Sequence, residues 1–563
     1  MEYTYTSGVK TWEPAKPAQL AWPVRLFPSL TDFAFILPAF VLFCLLPGTK
    51  RLLSDGDTGW HIRTGEWILR HSAVPRVDLF SFTKPHQPWF AWEWGWDVVF
   101  AGVHRAAGLA GVAFVNVCLL CVVSVLLFRL IRRCCGNDVL SFVFTAIAMA
   151  GSSLHWLARP HLVSWLFVVV FLNVLVSARQ GNGKTLLWLP ALSLLWTNLH
   201  GGFLIGIVLV SCWALGEACS VLAGKEPSWR GVLRAMQPYL TCAALCTAAT
   251  FLNPYTWHLH AHVLSYLRDS KLMDNIAEFQ SISFHHGAAL FFEGMLLAGL
   301  GAAWWCLQRR QFGAALLVVL WGHLALLSGR NIPIFMLVSS PWSAAMLRDV
   351  LRRARSSPWF KRTLETASEI CGELAAFERV GRLPVASALA LALMAGLFAA
   401  GRPGFESQFD AQVFPIQTVP ALPDMVKSHI FTYDQWGDYL IYRFYPETKV
   451  FMDGRSDFYG HEFVDNYLHL LNADHAWQSQ LDRFGIDAVV VKPEAALGKV
   501  LKERHDWKLI FDNGSVLVFK KARKENPDRL EHEPILNSFS AVINDGGNGP
   551  RRLKFVNHER RSL

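Results

Sequence analysis

Two aspartates separated by one glycine, Asp55 and Asp57, lie between an apolar run and an aromatic stretch. Carboxylates at this spacing can remove a proton from a hydroxyl group as a general base, or hold a divalent cation such as Mg²⁺ or Mn²⁺. Asp57 also precedes Thr58 and Gly59, where its side-chain oxygen could simply cap a helix. The sequence leaves open which of the two carboxylates would be the base.

Further polar side chains stand at the ends of apolar segments that are far apart in the chain. They are His61, Glu93, Arg159, His161, Asn198, His200, Arg330 and Asn331. Polar groups at membrane depth are costly, so they are functional candidates by default. The two arginines could extend to lipid headgroups, and Asn198 and His200 could form interhelical hydrogen bonds. Arginines in such short loops would also be explained by a phosphate partner, which Arg159 and Arg330 together could bind.

The segments that must position these residues are apolar and long. The chain has 563 residues, of which 52% are hydrophobic and 17% are charged, whereas about a quarter of a soluble protein is charged. Runs of roughly 20 apolar residues suffice to cross a bilayer as helices. We predict an α-helical polytopic membrane protein with about eleven spans, near residues 33–47, 109–128, 139–157, 161–178, 186–199, 203–222, 236–252, 288–306, 313–328, 332–347 and 384–401.

Charge between the spans alternates. One set of connections carries eighteen Lys and Arg, whereas the opposite set, beyond the first loop, carries only Arg159, Arg268, Lys271 and Arg330. Positively charged loops stay in the cytoplasm, so residues 1–32 are predicted to be cytoplasmic and the Asp55–Asp57 loop to face outside. The net charge of +9 is explained by this distribution and does not indicate a nucleic-acid partner.

Two outer segments are longer than turns. In residues 48–108, Trp60, Trp67 and Ile68 share one face of a predicted helix in the membrane interface. A second interfacial helix is predicted for the tryptophan-rich stretch that ends at Gly108, because tryptophan gathers at headgroup level. Residues 253–287 are long, mixed and aromatic, as expected of a loop that covers a cavity mouth.

The character of the chain changes after residue 401. Residues 402–522 predict a small extracytoplasmic α/β domain, with strands in "IFTYDQWGDYLIYRF", "KVFMDGR", "DAVVVK", "WKLIFDN" and "SVLVFKKA" and helices near 460–484 and 493–504. Within the first of these strands, "QWGDYL" is expected to be a strand edge, with a role in acceptor binding as the alternative. The polar residues 523–563 are predicted to be disordered.

One pair of cysteines and one pair of histidines have the spacing of metal ligands, but each pair has a simpler interpretation. Cys118 and Cys121 lie inside an apolar helix and are expected to be core thiols. His258 and His262 are one helical turn apart and are expected to be interfacial or loop residues rather than ligands.

The stretch "DGDTGWHIRTGEWILRHSAVP", followed by an aromatic interfacial helix and a long span ending in "RLIRRCCG", resembles the GT-C-type glycosyltransferases. These polytopic enzymes, the mannosyltransferases among them, transfer sugars from polyprenyl- or dolichyl-phosphate carriers outside the cytoplasm. In them an acidic motif in the first outer loop supplies the catalytic carboxylate, and two juxtamembrane helices flank it. The acidic pair here is Asp-Gly-Asp, not the adjacent Asp-Glu of the protein mannosyltransferases, and "QWGDYL" is only loosely similar to the WWDYG of oligosaccharyltransferase.

The resemblance implies a glycosyltransferase of a bacterial cytoplasmic (inner) membrane, acting on a polyprenyl-phosphate-linked sugar and a glycan, lipid or protein acceptor. Asp57 or Asp55 would be the general base, Arg330 and Arg159 would bind the donor phosphate, and inversion at the anomeric carbon is expected. Two alternatives stay open at this point: a transporter or flippase for a lipid-linked glycan, and a non-catalytic assembly protein of an envelope-polysaccharide system. A transporter is expected to show repeated halves or broken central helices, which the sequence does not indicate.

Overall fold

The computed structural model describes residues 25–285, 287, 289–354, 361–378, 382–421 and 427–522. Most of the cytoplasmic segment predicted for 1–32 and the whole tail predicted for 523–563 lie outside these residues. The helices are α1 (Leu30–Phe40), α2 (Thr49–Leu52), α3 (Asp57–His71), α4 (Trp94–Cys135), α5 (Asp138–Ser152), α6 (His161–Arg179), α7 (Leu189–Leu199), α8 (Leu204–Leu222), α9 (Trp229–Thr250), α10 (Trp257–Arg268), α11 (Ser270–Asn275), α12 (Ala289–Gln308), α13 (Phe312–Leu327), α14 (Ile332–Ala354), α15 (Lys361–Glu378) and α16 (Val385–Ala399).

Each of the eleven predicted spans coincides with one of these helices. Six helical segments of the described chain are long and apolar enough to cross a membrane: Trp94–Cys135, Asp138–His155, His161–Arg179, Gly201–Leu222, Ala289–Gln308 and Gly329–Ala354. Three shorter apolar helices are Leu30–Leu45, Phe312–Leu327 and Val385–Ala399. The molecule is therefore a mostly helical, integral membrane protein, and the number of eleven crossings remains a prediction.

The two helices predicted for the first outer loop are present, with different surroundings. Helix α3 begins at Asp57, but Trp60 and Ile68 are buried inside the protein, so the prediction that these two side chains lie in the membrane interface is wrong. The second helix begins at Trp94 and breaks at Gly108, whose φ of +61° favours glycine. The chain then continues as the long span of α4.

The C-terminal region contains a four-stranded mixed sheet in the order β1-β2-β4-β3. Its strands are β1 (Ile430–Thr432), β2 (Ala488–Val491), β3 (Trp507–Asp512) and β4 (Leu517–Lys521). Strands β1 and β2 are parallel, whereas the other two pairings are antiparallel. The helices around it are α17 (Asp434–Phe444), α18 (Ser456–Tyr459), α19 (His461–Leu471), α20 (Trp477–Arg483) and α21 (Ala496–Lys502).

Two strand predictions in this region are wrong. The "QWGDYL" segment lies in α17, where one face is buried, and is therefore helical rather than a strand edge. The "KVFMDGR" segment forms only isolated bridges through Val450. In the residues that follow, Arg455 forms buried ion pairs with Asp453 and with Asp78 of the first outer loop.

Helix α17 packs directly on α3, and glycines make this contact possible. A β-carbon at Gly59 would lie 2.7 Å from the Asp438 carbonyl oxygen, and one at Gly56 would lie 2.5 Å from the Gln435 carbonyl oxygen. Real β-carbons do not approach backbone this closely, so the two glycines of the "DGDTG" stretch allow the C-terminal domain to rest against the acidic loop.

We therefore expect Gly59→Ala to destabilise the protein by about 1–3 kcal/mol, the usual cost of overpacking. The control is Gly102→Ala in α4, since an added β-carbon at Gly102 meets nothing within 4 Å. It should leave stability unchanged or raise it, because alanine favours helix. Thermal unfolding in detergent measures both variants, and equal effects of the two would contradict the close contact.

Candidate active site

Arg159 is the centre of a cluster of three carboxylates. Its Nη2 lies 2.6 Å from Asp57 Oδ2, and its Nη1 lies 3.0 Å from Asp55 Oδ2 and 2.6 Å from Glu278 Oε1. The short loop between α5 and α6 supplies the arginine, the loop before α3 supplies the aspartates, and the second outer segment supplies Glu278. The predicted acids and the predicted arginine therefore come together.

The turn before α3 explains the Asp-Gly-Asp spacing. Asp55 Oδ1 accepts the backbone N–H of Asp57 at 2.9 Å, and Gln435 Oε1 accepts the N–H of Gly56 at 2.8 Å. Asp57 is the first residue of the helix, and its N-cap, Gly56, provides no side-chain hydrogen bond. The capping interpretation of Asp57 is thus wrong, and its carboxylate is directed to other partners.

Asp57 is buried and incompletely satisfied. Within the described residues, its Oδ1 has no hydrogen-bond partner. Burial raises the pKa of Asp57 to about 7; Arg159 opposes this shift, whereas Asp55 and Glu278 add to it. A carboxylate with a pKa near neutrality suits a general base.

Glu93 forms a second buried acidic position. His200 Nε2 lies 3.4 Å from Glu93 Oε1, and His61 Nε2 lies 3.6 Å from Glu93 Oε2. The other nitrogens of these rings are also engaged, His61 Nδ1 with Asp97 at 2.6 Å and His200 Nδ1 with the Ser164 hydroxyl at 2.7 Å. Burial raises the pKa of Glu93 to about 8, against the opposing effect of Arg159 and Arg330.

A polar chamber of about 460 Å³ opens beside these groups. Of the predicted residues, the chamber wall contains Asp57, Glu93, Arg159, His161, His200 and Arg330. The opposite wall comes from the C-terminal domain, including Asp434, Gln435, Arg455, Ser456 and Asp457. Residues 253–287 contribute Tyr266 and the stretch around Glu278, and that they cover the mouth of the cavity stays a prediction.

A second cavity, of about 340 Å³, adjoins the chamber and is mostly apolar. Its apolar wall comes from helices α6, α8, α10, α13 and α14 and includes Trp165, Ile205, Leu267, Leu324 and Ile334. The two cavities share a set of lining residues: Trp92, Glu93, Arg159, His161, His200, Tyr266, Glu278 and Arg330. A ligand with a polar head and an apolar tail could therefore occupy both at once.

The remaining predicted residues lie in less direct positions. Asn331 lines only the apolar cavity. Asn198 accepts a hydrogen bond from Trp94 and donates to the carbonyls of Leu194 and Leu252, as the interhelical interpretation predicts. His161 Nε2 contacts the His155 carbonyl at 2.8 Å.

The two arginines differ in their surroundings. Arg159 contacts three carboxylates. Among the described residues, Arg330 has one distant ion pair, with its Nη1 3.9 Å from Glu278 Oε2, and its guanidinium lies over the Phe279 ring. Burial raises the pKa of Glu278, but Arg159 and Arg330 outweigh it and hold the value below its ordinary range. Glu278 is thus an anion that keeps both arginines in place.

Sequence reasoning did not single out Glu278, Asp438 or Arg455. Glu278 is one of several charged residues in a segment predicted only to cover a cavity, and no local spacing distinguishes it. Asp438 lies within "QWGDYL" and Arg455 within "KVFMDGR", two stretches that are recognisable by their acids among aromatic residues but were assigned to strands.

A divalent cation between Asp55 and Asp57 does not fit this arrangement. Arg159 takes one oxygen from each carboxylate, and the backbone N–H of Asp57 takes another Asp55 oxygen. Among the described residues, no group of three or more His, Cys, Asp or Glu is placed to hold a metal ion. His262 instead contacts Asp457 at 3.0 Å, and Cys118 and Cys121 are free thiols in α4.

No family model matches the sequence, and no curated protein matches it. Solved structures do match the fold. The apo oligosaccharyltransferase of Archaeoglobus fulgidus superposes with a TM-score of 0.54 at 11% identity, covering 82% of this chain and 69% of that one. The same archaeal enzyme, AglB, in complex with an inhibitory peptide and a dolichol-phosphate, gives a TM-score of 0.52 at 11% identity over 89% and 74% of the two chains.

The fold is therefore that of a GT-C-type membrane glycosyltransferase, which confirms the resemblance inferred from the first outer loop. Within that class, the chain is similar to an archaeal oligosaccharyltransferase in architecture. At this level of identity the likeness concerns the fold, and the activity has to be argued from the site.

Proposed function

We propose that this protein is a membrane glycosyltransferase that transfers a sugar from a polyprenyl-phosphate carrier to an extracytoplasmic acceptor. The observation that carries the proposal is the wall shared by the polar chamber and the apolar cavity, which contains both Arg330 and Arg159. Arg159 in turn contacts Asp57, which lines the polar chamber. A lipid-linked sugar has the matching shape, with an apolar chain, a phosphate and a sugar in that order. The dolichol-phosphate bound by the archaeal enzyme of similar fold is a ligand of this kind.

Arg330 is the better ligand for the donor phosphate. Arg159 already contacts three carboxylates, so its charge is neutralised, whereas Arg330 retains donors that only a distant carboxylate approaches. Guanidinium groups bind phosphate oxygens through charge-assisted hydrogen bonds. Arg159 then serves mainly to hold Asp57 in place.

The reaction follows from these positions. Asp57 takes the proton of the acceptor hydroxyl, and the hydroxyl oxygen attacks the anomeric carbon. The bond from that carbon to the phosphate oxygen breaks, and its electron pair leaves with the phosphate, where Arg330 stabilises the charge. A single displacement of this kind inverts the anomeric carbon. No step is assigned to a metal ion, because a guanidinium occupies the place between the aspartates.

The acceptor enters from the wall that the C-terminal domain provides. Asp434, Ser456 and Asp457 line that wall with oxygen atoms that can hydrogen-bond hydroxyl or amide groups. Glycan, lipid and protein acceptors all carry such groups.

The charge at the two ends of its helices supports a chamber outside the cytoplasm. Chamber residues lie at the first turns of α4 and α6 and directly before α14, whereas the last turns of these helices carry the basic residues Arg132, Arg133, Arg179, Arg352 and Arg353. Basic helix ends favour the cytoplasmic side, as in a bacterial inner membrane.

The test is transfer of radiolabelled sugar from polyprenyl-phosphate carriers by the purified protein, measured across pH. Asp57 must be ionised to act as a base, and burial raises its pKa to about 7. The rate should therefore rise with pH, reach half of its maximum near pH 7 and be strongly reduced below pH 5, where Asp57 is protonated. A rate that is constant from pH 5 to pH 8 would contradict Asp57 as the base.

A further inference from the structure

Two buried carboxylate oxygens without partners face the same glycine. Within the described residues, Asp57 Oδ1 and Asp438 Oδ2 lack hydrogen-bond partners. A β-carbon built at Gly454 would lie 2.1 Å from the first oxygen and 2.9 Å from the second. The two oxygens are therefore no farther apart than the sum of these distances, and a side chain at position 454 would displace at least one of them.

The other oxygen of each carboxylate is satisfied in a different way. Asp57 Oδ2 lies 2.6 Å from the Arg159 guanidinium. Asp438 Oδ1 accepts the backbone N–H of Gly454 at 3.0 Å. Because a guanidinium stabilises an anion more than one neutral amide does, the negative charge belongs on Asp57 and a proton belongs on Asp438.

Within the described residues, no cation forms an ion pair with Asp438. Arg455, which follows Gly454, pairs instead with Asp453 and Asp78. The charged groups that face the pair are Arg159, Asp55 and Glu278 around Asp57, and Asp434 and Asp453 around Asp438. Two ionised carboxylates here would repel each other in a buried place, each with an unsatisfied oxygen.

We propose that Asp438 is a neutral carboxylic acid at physiological pH and that its proton hydrogen-bonds Asp57 Oδ1. Asp438 is then a positioning residue, contributed by the C-terminal domain, which fixes the orientation of the base and completes its hydrogen bonds. The catalytic part of this proposal rests on the proposed function, whereas the protonation state does not.

The electrostatic surroundings support this assignment. Burial, followed by the charges of Asp57 and Asp453, raises the pKa of Asp438 well above its usual range, against a small opposing effect of the Gly454 amide. Side-chain exposure agrees, because Asp438 is fully buried.

Infrared spectroscopy of the full-length protein in nanodiscs at pH 7 tests the protonation state directly. We expect a carbonyl-stretch band of a protonated carboxylic acid that disappears in Asp438→Asn and persists in Asp474→Asn, an exposed carboxylate of the same domain. If Asp438→Asn instead removes an ionised-carboxylate band, the proposal is wrong. An EDTA-sensitive band position would also overturn it, since a cation would then lie between the two acids.

Sugar transfer by two variants tests the positioning role. Asp438→Asn keeps a hydrogen-bond donor, so the low-pH limb of the rate profile should stay near its wild-type position. Asp438→Leu loses the donor, which should move the limb to higher pH by about one unit and make this variant about tenfold slower than Asp438→Asn. If the low-pH limb of the rate profile moves to lower pH in Asp438→Asn, Asp438 is normally ionised. If Asp438→Asn and Asp438→Leu have identical rate profiles, there is no hydrogen bond from Asp438 to Asp57.

The two proposals fail in different ways. If wild-type protein shows the protonated Asp438 band but transfers no sugar, the proposed function is wrong and the carboxyl pair stands. If transfer is normal and the band is absent, the function stands and the pair is wrong. The infrared comparison requires only Asp438→Asn, so it remains decisive even if Asp438→Leu does not fold.

Discussion

Asp57→Asn is expected to lower the rate of sugar transfer by a factor of about 10² to 10⁴, the usual contribution of a general base. Asparagine has nearly the same shape but cannot accept the proton of an attacking hydroxyl. The fold should survive, because Arg159 keeps its contacts with Asp55 and Glu278. The measurement is single-turnover transfer at pH 8, together with the amount of folded protein.

The comparison with Asp55→Asn decides which aspartate is the base, a choice that the sequence leaves open. Asp55 does not line the chamber, and its oxygens are taken by Arg159 and by the N–H of Asp57. We therefore expect a smaller loss, transmitted through the position of Asp57. Asp474→Asn serves as the neutral control. A larger loss in Asp55→Asn than in Asp57→Asn would reverse the assignment, and normal transfer by both variants would remove the catalytic role.

Arg159→Met is expected to have the largest effect on the protein as a whole. The substitution keeps much of the side-chain volume but leaves the carboxylates of Asp55, Asp57 and Glu278 without their shared cation. Breaking a buried ion pair from one side typically costs about 3–5 kcal/mol. Loss of the positive charge also favours protonation of Asp57, so any remaining transfer should require a higher pH.

Arg330→Gln provides the contrast, since Arg330 has only one ion pair with the described residues, a distant one to Glu278. We expect near-normal stability and a raised KM for the lipid-linked donor, because this arginine is assigned to the phosphate. Thermal unfolding in detergent and a donor titration distinguish the two variants. Equal destabilisation by both substitutions would contradict the central position of Arg159, and an unchanged KM in Arg330→Gln would contradict the phosphate assignment.

The membrane part of the fold was predictable because its signals are local. Apolar runs of helical length can be recognised without knowledge of distant contacts. The same holds for strand β2, a short run of valines before a turn, and for the break at Gly108. The sequence also drew attention to the two aspartates of the acidic loop, which the structure brings together with Arg159. Their catalytic role stays a prediction.

Only the residues of the candidate site that lie in the first outer loop or at the ends of the spans could be predicted from the sequence. Arg159 meets Glu278 across 119 positions of sequence, and nothing near Glu278 indicates that contact. In α17, the content of Trp, Tyr, Ile and Phe is typical of a strand, but packing against Gly59 of α3 and against Gly56, which precedes α3, favours a helix. Tertiary contact overrides local propensity in such cases, and it is this contact that brings Asp438 to Asp57.

The most direct measurement is the release of free polyprenyl phosphate from a polyprenyl-phosphate-linked sugar by the purified protein in lipid vesicles with acceptor present. Wild-type protein should release the carrier phosphate at the same rate as sugar appears on the acceptor. In Asp57→Asn both the release and the transfer should be much slower. If the lipid-linked sugar is bound or moved between leaflets while its glycosyl–phosphate bond stays intact, the protein is not a glycosyltransferase, and a lipid transporter takes its place.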